Sequence, residues 1–166
     1  MIADKILGNL HRSSETLSKG VVDIPFEWFE TDRHRILKIA DDGAEVGIQI
    51  DENLSDGDVL AVTAEKIYVV RIKKSKLLHI PVKTMEEMGR LGFELGIRHL
   101  SLQIASDSIT IPFDAPTFEY LIRLGFNPRI VEDVFADYIV CKAHGATHGH
   151  FHEHGHDHSH EHHHEH

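Results

Sequence analysis

The chain has 166 residues, of which 41% are hydrophobic and 27% charged, and its formal net charge is −10 with the histidines neutral. That length accommodates one ordinary domain or two small ones. An acidic chain without basic clusters argues against nucleic-acid binding, and no stretch approaches the ~18 apolar residues of a membrane span. The first residues do not resemble a signal peptide, and the single cysteine, Cys141, allows no intrachain disulfide. We therefore expect a cytoplasmic protein without membrane or nucleic-acid partners.

Residues 1–75 show a pattern of short strands separated by turns. Sequences such as Asp41-Asp42-Gly43 and Ser55-Asp56-Gly57-Asp58 supply residues that tolerate positive φ. No helix of useful length is predicted here, and the segment is predicted to be a small all-β domain. The predicted strands are rich in β-branched and aromatic residues: Val21–Phe29, Ile36–Ala40, Val46–Ile50, Asp58–Val62 and Lys66–Ile72.

Residues 76–143 alternate between strand and helix patterns, beginning with a short strand over Leu77–Ile80. Thr84 precedes Glu87 by three positions, a capping-box signature that predicts a helix start, and Gly96 fits the helix end. The stretch His99–Ala105 then alternates apolar and polar residues, which predicts a strand. Its core face would carry Leu100, Leu102 and Ile104, with His99 on the opposite face.

The remainder of this segment completes a β-α-β-β-α-β order. After a strand over Ile109–Ile111, Asp114 is suited to cap a second helix that has Pro116 in its first turn and ends at Gly125. A last strand is predicted over Arg129–Phe135, and an extension through Tyr138 to Cys141 is left open. The predicted fold class is α+β, an all-β N-terminal domain followed by a ferredoxin-like domain.

Residues 144–166 form a low-complexity tail in which 12 of the 23 residues are histidine. Such a segment buries too little apolar surface to offset its ordering entropy, so we expect disorder without metal. Imidazole is a borderline ligand that suits nickel, copper and zinc, so the tail alone does not name the physiological metal. Interspersed glycine, acidic residues and serine favour an encoded tail over a purification tag. The predicted tail ligands are His144, His148, His150, His152, His154, His156, His158 and His160.

Four histidines lie outside the tail. We expect His11, His34 and His79 to be structural or merely exposed, as isolated histidines usually are. His99 differs because its predicted strand face is available to a partner. A two-fold homodimer would bring two copies of it together, since an isologous interface opposes the same patch to itself. The pattern alone leaves open whether His99 is a ligand or an exposed histidine.

Four stretches of the chain form a recognisable set: Gly92-Phe93-Glu94-Leu95-Gly96-Ile97-Arg98-His99, Phe26–Thr31 followed by Arg33 and Arg35, Leu54–Leu60, and Thr84–Gly89. Together they resemble the UreE family, the urease accessory metallochaperones. The family signature at the first of these stretches is glutamate, a variable residue, then Gly-Asn-Arg-His. The likeness covers nearly the whole chain, and the order and spacing of its motifs make it specific.

The resemblance implies a cytoplasmic homodimer in which His99 of each subunit meets at the interface and binds Ni(II) as cargo, helped by tail histidines. It also implies nickel delivery to apo-urease through the urease accessory GTPase and the urease activation complex. Two positions depart from the family pattern. Ile97 replaces the usual asparagine, and Phe113-Asp114-Ala115 stands where some members carry a further His-x-His pair.

Gly89, Gly92 and Gly96 lie along one side of the predicted first helix, where each costs ~1 kcal/mol of helix propensity relative to alanine. We expect a neighbouring element packed closely against them. Cys141 is either a soft auxiliary metal ligand or a partly buried residue at a strand end.

Two other functions compete with a metallochaperone. One is a nickel or zinc storage protein without a dedicated client. The other is a metalloenzyme, which the absence of His-Glu-x-x-His, of a P-loop and of clustered folded ligands argues against. We therefore predict no catalytic residues. The all-β domain would suit docking of a peptide or partner, but the sequence names no surface for it.

Overall fold

The computed structural model describes residues 1–12 and 19–140, so Cys141 and all the predicted tail ligands lie outside the described residues. Besides a 3-10 turn (Trp28–Glu30), the described residues form two helices, α1 (Met85–Ile97) and α2 (Ala115–Arg123). Neither of these is long and apolar enough to cross a membrane. The strands of the described part are β1 (Ile2–Ala3), β2 (Gly8–Asn9), β3 (Gly20–Phe26), β4 (Arg35–Ile39), β5 (Glu45–Gln49), β6 (Asp58–Val62), β7 (Lys66–Ile72), β8 (Lys74–Pro81), β9 (Gln103–Ile104), β10 (Ser108–Pro112) and β11 (Arg129–Val134).

The N-terminal part consists of two sheets that share one apolar core, as its strand pattern predicts. One sheet has the order β1-β5-β4 and the other the order β2-β6-β7-β3, with β3 parallel to β7. The inward-facing residues of both sheets are buried together, among them Ile24, Phe26, Val46, Ile48 and Val70.

The first predicted strand, Val21–Phe29, is too long. Strand β3 ends at Phe26, whose carbonyl oxygen accepts a hydrogen bond from the backbone N–H of Lys73 (2.8 Å). The chain then turns because the Glu30 carboxylate accepts a hydrogen bond from the backbone N–H of Glu27 (2.8 Å) and caps the 3-10 turn. Local side-chain bonding of this kind competes with the strand ladder.

The C-terminal part is an antiparallel four-stranded sheet of order β11-β8-β10-β9 that shares an apolar core with α1 and α2. This arrangement confirms the ferredoxin-like prediction. Thr84 caps α1 by accepting from the Glu87 N–H (3.1 Å), and Asp114 caps α2 by accepting from the Thr117 N–H (3.0 Å). The core residues that the helices and the sheet share include Leu78, Ile80, Leu91, Leu95, Ile111 and Leu121.

The segment after α1 departs from the predicted strand over His99–Ala105. Helix α1 continues through Gly96 to Ile97, and only Gln103–Ile104 forms a strand. Ile104 pairs with the buried Ile109 but is 49% exposed, because β9 lies at the edge of the sheet. His99 does not open a strand: it takes the left-handed conformation (φ 54°) that closes the helix. The predicted stop at Gly96 is therefore one residue too early, because the last helical residue is Ile97 and the left-handed residue after the C-cap is His99.

Residues 135–140, which we call the crossing segment, lead from β11 to the opposite edge of the sheet. There Ile139 and Leu102 exchange two backbone hydrogen bonds (2.7 and 3.1 Å), and this isolated bridge replaces the strand extension left open above. On the way, Phe135 is completely buried and its ring meets Trp28 edge-on at 5.1 Å. The crossing segment therefore contacts both the N-terminal core and the strand end that follows His99.

Candidate metal centre at the end of helix α1

The side chain of His99 is exposed at the C-terminal end of α1. Arg98 is the C-cap, and the backbone N–H of His99 donates to the carbonyl oxygen of Gly96 (3.0 Å). A left-handed conformation costs a residue with a Cβ roughly 1–2 kcal/mol, and glycine usually occupies this position. Strain of this kind at an exposed histidine is typical of a functional position.

One face of α1 leads to His99 and is open in the described residues. No atom lies within 4 Å of a Cβ built at Gly89, Gly92 or Gly96. The flanking side chains are apolar and exposed, with Phe93 at 67% and Ile97 at 59%. The expectation that a neighbouring element packs on these glycines is therefore wrong within the described residues. We call Met85, Gly89, Gly92, Phe93, Gly96 and Ile97 the α1 surface.

Three side chains join the last turn of α1 to α2, and we call Glu94, Arg98 and Tyr120 the Tyr120 clamp. The Tyr120 hydroxyl donates to Glu94 Oε2 (2.5 Å), while the Arg98 guanidinium lies over the Tyr120 ring, 4.1 Å from its centroid. Arg98 Nη1 also donates to the hydroxyl of Thr117 at 3.5 Å. The sequence contains Glu94 and Arg98 in the quoted signature, but no pattern in it pointed to Tyr120.

The histidines outside the tail do not converge. His11 Nε2 lies 2.9 Å from Asp56 Oδ2, His34 Nδ1 lies 3.1 Å from the carbonyl oxygen of Ile50, and His79 Nδ1 lies 3.2 Å from the Thr110 hydroxyl. Each of the three therefore makes a local contact in the described structure, which agrees with the expectation that they are structural or merely exposed. Among residues 1–12 and 19–140, no group of three or more His, Cys, Asp or Glu side chains is placed to hold a metal ion.

Asp56 is a charged centre of the N-terminal part rather than part of the His99 region. Its carboxylate accepts from the backbone N–H of Ile72 (2.7 Å) and from Arg71 Nη1 (2.9 Å), and it pairs with His11. Burial opposes ionisation, but the Ile72, His11 and Arg71 interactions outweigh it and lower the pKa of Asp56 below its ordinary 3.8. These bonds fix the turn at Gly57, and none of them involves a residue of α1.

The crossing segment brings the chain close to His99 before the described residues end at Val140. Ile139 is bonded to Leu102, which follows His99 by three residues. Three residues span at most about 10 Å. The described part of the chain therefore ends close to the strand end that follows His99.

Fold and site together define a protein with an all-β part, a ferredoxin-like part and one exposed histidine at a helix end. Two family models match the chain: UreE urease accessory protein, N-terminal domain, over residues 3–73, and UreE urease accessory protein, C-terminal domain, over residues 75–166. The chain belongs to the UreE family of urease accessory proteins.

Relatives named urease accessory protein UreE agree with this placement. The one from Bifidobacterium longum subsp. infantis is 49% identical over 146 residues, which are 87% of this chain and 65% of the relative. The one from Acetivibrio thermocellus is 36% identical over 131 residues, which are 77% of this chain and 84% of the relative. The one from Helicobacter pylori is 31% identical over 138 residues, which are 79% of this chain and 80% of the relative.

Proposed function

We propose that this chain is a metallochaperone that binds Ni(II) and delivers it for assembly of the urease active site. Membership of a family of urease accessory proteins supports an accessory role, not a catalytic one. The observation that carries the nickel assignment is the exposed, left-handed His99 at the end of the open α1 surface, beside the strand end where the crossing segment arrives.

A single imidazole is a poor metal site, and we propose that a homodimer completes it. Two copies packed through their α1 surfaces about a two-fold axis would cover the exposed Phe93 and Ile97 and let the helices approach closely over the glycines. The same two-fold axis would bring the two copies of His99 toward each other. Imidazole nitrogens suit Ni(II), and Zn(II) or Cu(II) would compete for the same ligands.

The tail histidines are proposed to collect nickel and pass it to His99. His144 follows Ile139 by five positions, and five extended steps of the chain span up to about 17 Å. His144 is therefore within reach of His99 from the bridge at Leu102. Neutral imidazoles at every second position would exchange ligands rapidly, which suits transfer of an ion better than its retention. The tail ligands so proposed are His144, His148, His150, His152, His154, His156, His158 and His160.

The protein would work in the cytoplasm, with an all-β domain over residues 1–75, a metal-binding domain over 76–143 and the tail over 144–166. Its partners would be the urease accessory GTPase and the urease activation complex. The chain spans 65% of the length of its Bifidobacterium relative.

Equilibrium dialysis against Ni(II) tests the proposal. Full-length protein, a 1–143 truncation, and each of these with His99→Ala should reveal two classes of bound metal. The truncation should keep about one Ni(II) per dimer, lost on His99→Ala, and the tail should account for the rest. His11→Ala, which removes another exposed histidine, is the matched control. Equal nickel binding by the truncation with and without His99 would exclude the interfacial site.

Nickel storage is the second candidate, and the observation that favours it is the density of histidine in the tail. A storage protein needs no client, so the rate at which it releases nickel should not depend on whether apo-urease and its accessory proteins are present. Transfer of Ni(II) from the loaded chain to apo-urease should be faster with the accessory GTPase present. A release rate that is the same with and without those partners would favour storage.

A further inference from the structure

We propose that Tyr120 is a positioning residue for His99, acting through Glu94 and Arg98 to fix the turn in which α1 ends. This inference rests on the proposed nickel site. Tyr120 belongs to α2, and its effect on metal binding would be exerted through the other two members of the clamp.

The clamp holds the last turn of α1 at two points. Glu94 accepts the hydroxyl hydrogen bond of Tyr120 at 2.5 Å, and Arg98 stacks its guanidinium on the ring at 4.1 Å. Arg98 is the C-cap, so its backbone conformation directly precedes the left-handed φ of His99. A planar guanidinium loses rotational freedom when stacked on an aromatic face, and this restricts the residue that sets the direction of His99.

The other end of the clamp is itself anchored. Thr117 is 1% exposed and donates its hydroxyl hydrogen to the Asp114 carboxylate at 2.5 Å, while its N–H is capped by the same carboxylate. Arg98 Nη1 reaches that Thr117 hydroxyl at 3.5 Å. The N-terminal turn of α2 is therefore a fixed platform against which the end of α1 is held.

The charge state of the clamp is suited to this role. The hydrogen bond to Glu94, together with burial, raises the pKa of Tyr120 above its ordinary 10.0, although Arg98 and Arg123 oppose the shift. The phenol therefore stays protonated and remains a donor throughout the neutral range. An ionised carboxylate acceptor makes this a charge-assisted bond, which is stronger than a neutral one.

Positioning has value here because two copies of a histidine must meet at one ion. A ligand displaced by about 1 Å binds metal poorly, and the loss of groups that orient a ligand typically costs about 10- to 100-fold in affinity. Because Tyr120 acts one step further away, we expect about a 5-fold weaker Ni(II) affinity for Tyr120→Leu and about a 2-fold weaker one for Tyr120→Phe.

The test uses the full 166-residue chain with the twelve tail histidines replaced by asparagine, so that His99 is one of four histidines left. Ni(II) affinity is measured by calorimetric titration, and the His99 ring signals of the metal-free protein are followed by NMR. Tyr68→Phe is the matched control, because its hydroxyl also donates to a carboxylate, Asp42 at 3.0 Å, in the other part of the chain. Glu94→Gln keeps an acceptor for Tyr120, whereas Glu94→Ala removes it.

We expect Tyr120→Leu and Glu94→Ala to weaken Ni(II) binding and shift the His99 signals, Glu94→Gln to do both to a smaller extent, and Tyr68→Phe to leave both nearly unchanged. Tyr120→Phe keeps the ring and provides a folded comparison if the leucine variant unfolds. Affinity and His99 signals that stay at wild-type values in the Tyr120 variants, while His99→Ala loses the metal, would overturn the positioning role alone. If His99→Ala binds nickel as wild type does, the nickel site itself is wrong and the positioning role falls with it.

Discussion

The Tyr138 hydroxyl donates a hydrogen bond to the carbonyl oxygen of Trp28 at 3.0 Å, joining residues 110 positions apart in the chain. The same carbonyl accepts from the Thr31 hydroxyl at 2.8 Å, and the Tyr138 ring stacks on Phe135 with a centroid separation of 4.8 Å. The aromatic group that results connects the 3-10 turn of the N-terminal part with the crossing segment. It holds the chain in the place from which Ile139 reaches Leu102.

Removal of this link should destabilise the protein in two steps. Tyr138→Phe loses the hydrogen bond to the Trp28 carbonyl, which also accepts from Thr31, and should lower the free energy of unfolding by about 1 kcal/mol. Tyr138→Ala also loses the stacked ring and should lower it by about 3 kcal/mol. Urea unfolding followed by tryptophan fluorescence measures both, since Trp28 lies in the group. Phe29→Ala is the control, because Phe29 meets the same tryptophan but is 50% exposed. Equal costs for all three changes would contradict the role assigned to Tyr138.

Gly57 and Gly43 offer a matched pair of left-handed glycines, with φ of 85° and 84°. A Cβ at Gly43 would meet nothing within 4 Å, so Gly43→Ala should cost only the conformational term of roughly 1–2 kcal/mol. A Cβ at Gly57 would clash with the His11 ring and would displace that ring from Asp56. Gly57→Ala should therefore cost more than Gly43→Ala in thermal unfolding. The extra cost should disappear when His11 is also alanine, and an extra cost that persists would contradict the steric explanation.

A substitution at Gly92 should have opposite effects on the stability of the single chain and on the association of the proposed dimer. The space above it is open in the described residues, so Gly92→Gln should raise helix propensity by roughly 0.5–1 kcal/mol in the isolated subunit. At a close helix–helix contact the same side chain would hold the two copies apart. Sedimentation equilibrium should show weaker association by at least tenfold, whereas Glu119→Gln on the exposed face of α2 should leave it unchanged. Unchanged association of the Gly92 variant would move the interface away from the α1 surface.

The lowered pKa of Asp56 predicts a pH dependence of stability. A carboxylate whose pKa is lower in the folded state contributes stability above its unfolded value, near 3.8, and loses it as the pH falls through the folded value. The stability difference between wild type and Asp56→Asn should therefore be constant near pH 7 and shrink below about pH 5. Urea unfolding at a series of pH values measures it. Asp51→Asn, at an exposed position five residues before Asp56, is the control for the loss of one surface carboxylate.

Local sequence signals predicted much of the fold. Strands β6 and β7 have the predicted bounds because Asp58–Val62 and Lys66–Ile72 carry β-branched residues between strong turns. Both helices begin at the predicted caps, Thr84 and Asp114, because side-chain capping depends on residues three positions apart. The two-residue strands β1 and β2 were not predicted, since so short a segment has no period to detect.

The site depends on contacts that no local pattern contains. Alternation predicted His99 at the start of a strand, but the end of α1 needed a left-handed residue and His99 supplies it. Tyr120 contacts Glu94, which lies 26 positions earlier in the chain, and Phe135 contacts Trp28 of the N-terminal part. Neither contact could be predicted from the local sequence around the residues that make it. The nickel ligands of the tail, and the domain bounds at 75 and 143, stay predictions.

The burial of Phe135 against Trp28 has a practical consequence for dividing this protein. The two family models meet near residue 74, which suggests a place to cut the chain. A fragment that ends there would lack Phe135 and Tyr138 and would expose the Trp28 ring, and it would lose the contacts of Val134 and Ala136 with the N-terminal core. Its complement would carry those same aromatic side chains into water. Separate expression of the halves would therefore yield two fragments with exposed apolar surface and a tendency to aggregate. Interaction partners identified with such fragments would include proteins that bind only the apolar surface exposed by the cut.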